Sequence, residues 1–238
     1  MNYTHPTYKI MVGLFLNILK SVKSVDMIDY GCGSGYLLNI LPVKKIRRYW
    51  GLETSVQAIK SAQNLFGSNP SKTFSLINTQ KPLKLPSKNV DVIIAIGVLQ
   101  YMTDRQINEF LIQSSKVLKK GGHLLISCVS DHWFYKFINL YGLLIPNRFI
   151  KRKWLTRKIT AESFNIVTNF EKGLVFGPLF YHNIVIFFDL LDKIIFRTKG
   201  TLGLFGRASR KVAYFIADFE YLMPVDFGYT LYIDAIKK

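Results

Sequence analysis

The stretch Val25–Leu38, VDMIDYGCGSGYLL, constrains the fold of this chain more than any other part of it. An apolar run closes on Asp29, a loop carries Gly31, Gly33 and Gly35, and a helix begins at Tyr36. Glycine at these places lets the backbone turn sharply and approach a ligand with no Cβ in the way. The helix that follows adds unpaired N–H groups and the positive end of its dipole. Any strand–turn–helix can use glycine, and this loop lacks the last spacing of the G-x-G-x-x-G dinucleotide fingerprint. What the loop holds must be read from the rest of the chain.

Downstream, apolar strands alternate with amphipathic helices. Ile10–Leu19 predicts a helix lying on the sheet, with Met11, Leu14, Phe15, Ile18, Leu19 and Val22 at helical spacing. Tyr36–Leu41 starts a helix cut short by Pro42. Strands are predicted at Arg48–Leu52, Thr73–Ile77, Val90–Ile96 and His123–Val129, and a helix at Val56–Leu65. Asp104–Lys119 repeats Ile107, Phe110, Leu111, Ser114, Val117 and Leu118 on one face. Thr103 or Asp104 is expected to cap it, and Gly121-Gly122 to end it. Beyond residue 130, Trp133–Phe149 reads as an aromatic helix or lid, and Phe164–Phe176 as a strand. Asn183–Phe196 and Arg207–Phe219 read as helices, and Tyr229–Ile236 as an antiparallel edge strand. The alternation predicts an α/β fold, a doubly wound and mostly parallel sheet with helices on both faces. Ligands of such sheets bind beyond the carboxyl ends of the strands, where Gly31–Gly35, Glu53, Asn78-Thr79 and Gly97–Tyr101 all fall.

Composition narrows the class further. A chain of 238 residues at 49% hydrophobic and 20% charged has material for a core and does not read as disordered. Cys32 and Cys128 are too few and too far apart for a disulfide framework or a metal site, so small core residues in a reducing cytoplasm are expected. The net charge is +17, and its density peaks in residues 141–211, with 13 Lys/Arg against 4 Asp/Glu. The concentration at Arg148–Lys158, RFIKRKWLTRK, suits either an anionic surface or a solvated basic face. The longest uncharged stretch, Gly173–Phe188, is too short and too interrupted to read as a membrane span.

Glu53 closes the second strand, and a carboxylate there accepts from both hydroxyls of a ribose without donating. The order strand–GCGSG, strand–Glu, strand–polar pair, strand–GVLQYM, helix, KKGG–strand resembles the class I S-adenosylmethionine-dependent methyltransferases. Within them it is similar to the small-molecule and lipid methyltransferases. The resemblance runs over about residues 25–130 and resumes weakly at Tyr229–Lys238. It implies a seven-stranded Rossmann-like sheet with an antiparallel last strand and a helical, aromatic C-terminal insertion. It also implies one domain over 1–238: a cofactor-binding core (1–130), a substrate-side lid or insertion (131–227) and the last strand (228–238). S-adenosylmethionine is the cofactor it implies. Its contacts would be Asp29, Gly31, Cys32, Gly33 and Gly35 in the loop, Glu53 and Thr54 at the ribose, and Gly97 and Tyr101 after the fourth strand. Leu99 and Gln100 would border cofactor and substrate. Members of the group carry an acidic residue after the third strand, whereas this chain has INTQKPLKLP, so Asn78 or Thr79 must serve the adenine.

Candidates for a base at the methyl acceptor are His132, Tyr135, Tyr181 and His182, with Tyr101 at the cofactor edge; His123 reads as structural. His132→Ala is expected to cost on the order of a hundredfold in turnover if His132 is that base. The aromatic and basic residues after 130 suit a small-molecule or lipid-like acceptor, accepting on O, N or C, and a peripheral contact with anionic membrane at its inner face. Two other readings stay open: a nucleic-acid methyltransferase with Trp154 as a stacking residue, and a non-catalytic S-adenosylmethionine-binding protein.

Overall fold

The computed structural model describes residues 5–138, 147–173, 184, 186–195 and 203–238. Their seven strands form one sheet in the order β3-β2-β1-β4-β5-β7-β6. The strands are β1 (Val25–Tyr30), β2 (Ile46–Glu53), β3 (Lys72–Leu76), β4 (Val90–Ile96), β5 (Leu118–Val129), β6 (Phe164–Lys172) and β7 (Thr230–Lys237). The first five run parallel, and β7 pairs antiparallel with both β5 and β6. β1 lies between β2 and β4, so the winding reverses there, and a crevice opens at the carboxyl ends of β1 and β4.

β1 is buried at every position because helices cover both faces of the sheet. Ile28, Tyr30, Ile93, Ala95, Leu124 and Ile126 point to one face, under α4 (Asp104–Val117) and α6 (Arg152–Ala161). Met27, Val92, Ile94, Leu125 and Tyr232 point to the other, under α1 (Pro6–Ile18), α2 (Tyr36–Ile40) and α3 (Val56–Phe66). Alternation along a strand sends successive side chains to opposite faces, which is why one apolar run serves two cores. α5 (Trp133–Ile138), α7 (Ile186–Ile195) and α8 (Leu204–Leu222) complete the described elements.

Four expectations are corrected. α4 starts as expected, with a capping box between Thr103 and Gln106, but it ends at Val117 rather than at the glycines. Leu118 is extended, buried and paired with Val90, so β5 begins there and Lys119–Gly122 bulges out before His123 pairs with Val92. Lys119 holds the bulge through Asp91 at 2.7 Å. β7 is antiparallel as expected but interior, and β6 is the edge; Leu231–Ala235 are buried on both faces, which an edge strand seldom is. The basic run Arg148–Lys158 contains a helix the pattern did not announce, α6, which turns Leu155 and Ile159 into the core. α1 ends before Val22, which is exposed.

Candidate functional site

The glycine loop is held by the strand beside it. The amides of Gly31 and Cys32 both donate to the Leu52 carbonyl, at 2.7 and 3.0 Å. Gly31 sits at φ +80°, and a Cβ there would fall 2.2 Å from Val98 Cγ2. Only glycine lets the β1 and β4 loops close to this distance. Glu53, at the end of β2, then ties the loop down. Its Oε2 accepts from the Gly33 amide at 3.0 Å, while Oε1 accepts from the Thr54 amide (2.6 Å), Thr54 Oγ1 (3.0 Å) and the Ser55 amide (3.1 Å). Burial pushes the Glu53 carboxyl up, but the hydrogen bonds from Ser55, Thr54 and Gly33 together outweigh it and leave the carboxyl below its ordinary value. Oε2 receives one donor here, so this ionised carboxylate keeps acceptor capacity toward a diol.

Beyond these loops lies a cavity of about 480 Å³, within the range of small-molecule sites. Gly31, Glu53 and Thr54 line one end, and Asn78, Thr79 and Lys81 a second wall. Ile77, Leu83, Val98 and Met102 supply apolar surface, and Gly97 and Tyr101 close the side toward β5. Asn78 Oδ1 accepts from the Gln80 amide at 2.9 Å, so it shapes its own turn and has one lone pair left for a ligand.

Sequence reasoning missed the contribution of α4. Gln106 and Glu109 line the same cavity, and both grip the 78–83 turn. Glu109 Oε1 accepts from the Leu83 amide at 2.6 Å, and Gln106 Nε2 donates to the Thr79 carbonyl at 3.4 Å. Their signal was present: positions 106 and 109 flank the buried residues Ile107 and Phe110, at the rim of the helix face that meets the sheet.

Four loop residues named from the sequence lie outside this lining. Asp29 is buried and its Oδ2 accepts from the Tyr49 hydroxyl at 2.7 Å. Burial raises its carboxyl to about 7, against the Tyr49 hydrogen bond and with help from the Glu53 charge. Cys32 is buried too, and burial, Asp29 and Glu53 push its thiol well up. Gly33 reaches the site through its amide on Glu53, and Gly35 starts α2 at φ +81° against the Phe66 ring. Asp29, Cys32 and Gly35 brace the loop from beneath.

A second cavity of about 250 Å³ shares Ile96, Gly97 and Tyr101 with the first. Ser127, Cys128 and Val129 at the end of β5 form its floor, and His5, Thr7 and Tyr8 come from the start of α1. Gln100, Asn147, Tyr229 and Thr230 complete it. Gln100 Oε1 and Ser127 Oγ are both buried here with no hydrogen-bond partner among the described residues. A buried polar atom without a partner costs about 1–3 kcal/mol, and Ser114 Oγ, outside both linings, shares that state.

The remaining candidates are placed elsewhere. His132 Nε2 and Glu171 Oε2 lie 2.7 Å apart, and Ser130 Oγ donates to Glu171 Oε1 at 2.6 Å. The His132 ring leans on Phe227 and Tyr135, outside the linings of both cavities. Tyr135 is buried and donates to the Gly173 carbonyl at 3.2 Å. His123 pairs with Asp234 across the sheet at 2.8 Å. The cations of Arg148 and Lys158 sit over the Trp154 ring, which packs partly against the core. Tyr181 and His182 fall outside the described residues.

Residues 28–124 match the family model described as a methyltransferase domain. The ubiquinone biosynthesis O-methyltransferase of Rhodopseudomonas palustris is 23% identical over 173 residues, 68% of this chain and 66% of that protein. The chain thus spans just under two thirds of that relative's length. Among solved structures, an S-adenosylmethionine-dependent methyltransferase from Mesorhizobium loti superposes with TM-score 0.61 at 15% identity, covering 94% of this chain and 96% of that one. The geranyl diphosphate C-methyltransferase of Streptomyces coelicolor, solved with S-adenosyl-L-homocysteine, gives TM-score 0.60 at 13% identity over 97% and 80% of the two chains. The methyltransferase-domain match falls on the strands and loops that build the first cavity, and the fold is shared with these solved methyltransferases along nearly the whole chain.

Proposed function

We propose that this protein transfers the methyl group of S-adenosylmethionine, bound in the larger cavity, to a small-molecule or lipid-like acceptor bound in the smaller one. The observation that carries this reading is the wall the two cavities share at Ile96, Gly97 and Tyr101, with a poised carboxylate on one side and two unpaired polar atoms on the other. When bound, the cofactor supplies a sulfonium methyl group, a strong electrophile whose leaving group departs neutral.

The residues supply position. Glu53 keeps its charge and offers Oε2 to the ribose hydroxyls, and the Gly31–Gly33 backbone brings the chain within contact of the ligand. Ile77, Leu83, Val98 and Met102 offer apolar surface to a base, and Asn78, Thr79, Gln106 and Glu109 polar edges. In the smaller cavity Gln100 Oε1 accepts from a hydroxyl or amine, and Ser127 Oγ donates or accepts beside it. Holding an acceptor in line with a donor supplies a large part of the acceleration in such displacements. A cavity of about 250 Å³ takes roughly one substituted ring or a headgroup, given that about 150 Å³ holds benzene. The working compartment we propose is the cytoplasm, where Cys32 and Cys128 would stay reduced.

Calorimetry with S-adenosylmethionine, followed by transfer of labelled methyl to fractionated metabolites, lipids and RNA, tests the proposal. Cofactor binding with label in the small-molecule or lipid fraction is expected. Absence of cofactor binding, or label found in RNA alone, overturns it.

A further inference from the structure

The helices α7 and α8, which lie between β6 and β7 in the chain, carry apolar stripes that are exposed among the described residues. On α8 the side chains of Phe205, Val212, Phe215, Phe219 and Leu222 fall within one arc of the helix, and all are exposed: Phe215 at 74%, Phe219 at 66%, Leu222 at 82%. The opposite side of α8 is spoken for. Ala213, Tyr214 and Ala217 are buried, Tyr214 meets the His5 ring edge-on, and Asp218 pairs with Lys9 of α1 at 2.5 Å. α7 repeats the arrangement, with Phe187, Leu190 and Ile194 exposed. The two helices are tied together by Asp192, whose buried carboxylate accepts from the Gly206 amide at 2.6 Å, and by Phe188 stacking on Phe205. The hairpin is therefore docked on the protein by one side and offers phenylalanines to solvent on the other.

We propose that this hairpin is an interfacial anchor that seats the protein on an anionic lipid bilayer. Charge selects the occupant. Of the charged side chains described on the two helices, Lys193, Arg207 and Lys211 are exposed, whereas Asp192 and Glu220 are buried and Asp218, which falls between Arg207 and Lys211 around α8, is paired with Lys9. An apolar arc bordered by cations is the pattern of a helix lying in the plane of a membrane surface, where the rings enter the acyl boundary and the cations meet anionic headgroups. A second copy fits less well, because a two-fold pairing through the same stripes would bring the same cations of two strongly basic chains together. No helix of the described residues is long and apolar enough to cross a membrane, so the hairpin lies on the bilayer. α8 rests on α1, whose first turn lines the smaller cavity through His5, Thr7 and Tyr8. If the methyltransferase reading holds, a membrane-partitioned acceptor thus meets its site beside the surface that carries it.

Flotation of the whole protein with phosphatidylcholine vesicles, and with equimolar phosphatidylcholine–phosphatidylglycerol vesicles, tests the anchor. Floating with the anionic vesicles, weakened by salt, is expected. The double variant Phe215→Ser/Phe219→Ser should lose at least about tenfold in partitioning, since each ring withdraws a full side chain's burial. Arg207→Glu/Lys211→Glu should lose a similar factor on anionic vesicles only. Wild-type protein that stays unbound, or double variants that float as it does, would overturn the proposal. A dimer in sedimentation that the phenylalanine variant dissociates, without vesicle binding, overturns it in favour of a self-interface. Should either variant misfold, the lipid and salt dependence of the wild type decides. S-adenosylmethionine affinity measured without vesicles keeps the two readings apart: its loss refutes the methyltransferase reading, whereas failed flotation refutes only the anchor.

Discussion

The Glu53 carboxylate accepts the Gly33 amide at 3.0 Å, so the acidic end of the second strand and the glycine loop of the first are one unit. A residue expected to meet the ligand is also what shapes the loop around it. Removing it acts on both.

Glu53→Ala leaves the Gly33, Thr54 and Ser55 amides without their shared acceptor and removes the charge facing the cavity. S-adenosylmethionine affinity should fall at least about tenfold, the scale of one charge-assisted hydrogen bond. Calorimetry checks it, and an unchanged dissociation constant would detach Glu53 from the cofactor.

Ser127 and Gln100 should separate activity from stability. Each buries a polar atom with no partner among the described residues, so Ser127→Ala and Gln100→Met are expected to leave the thermal midpoint unchanged or raised. Both should raise KM for the acceptor by about tenfold without weakening the cofactor. Loss of stability in these variants, with KM unchanged, would make them structural.

The Asp29 carboxyl titrates at about 7 in the folded protein against an ordinary 3.8. Between these values the folded state binds more protons than the unfolded state, so stability falls as pH rises through that window. Asp29→Asn should abolish this slope. Urea midpoints measured across the window check it, and a wild type with no slope there contradicts the assignment.

His132 is held by Glu171 and packed against Phe227, apart from both cavities. His132→Gln should therefore spare cofactor binding, lower the thermal midpoint, and cost less than about tenfold in turnover. A hundredfold loss at full cofactor affinity would instead put the imidazole at the reacting atoms.

The first half of the chain was readable because its signals are local. β1 and β4 are continuous apolar runs, the α4 face repeats at helical spacing, and glycines stand where the chain must turn. The start of β5 was misread because Lys119–Gly122 looks like a helix stop, while Leu118 is drawn into the sheet by its pairing with Val90. α6 was hidden because cations dominate its composition, although only Leu155 and Ile159 decide its packing.

Sequence alone determined the strand–glycine–helix unit, the acid at position 53 and the alternation of strands and helices, since each depends on residues near one another in the chain. Tertiary structure alone decided which of these residues share a wall. It set Asp29 beneath the loop, brought Gln106 and Glu109 of α4 onto the turn at 78–83, and put Gln100 and Ser127 into the lining of one smaller cavity. It also left the stripes of α7 and α8 exposed among the described residues. Such relations arise from strand order and helix docking, contacts between distant segments that no local pattern encodes.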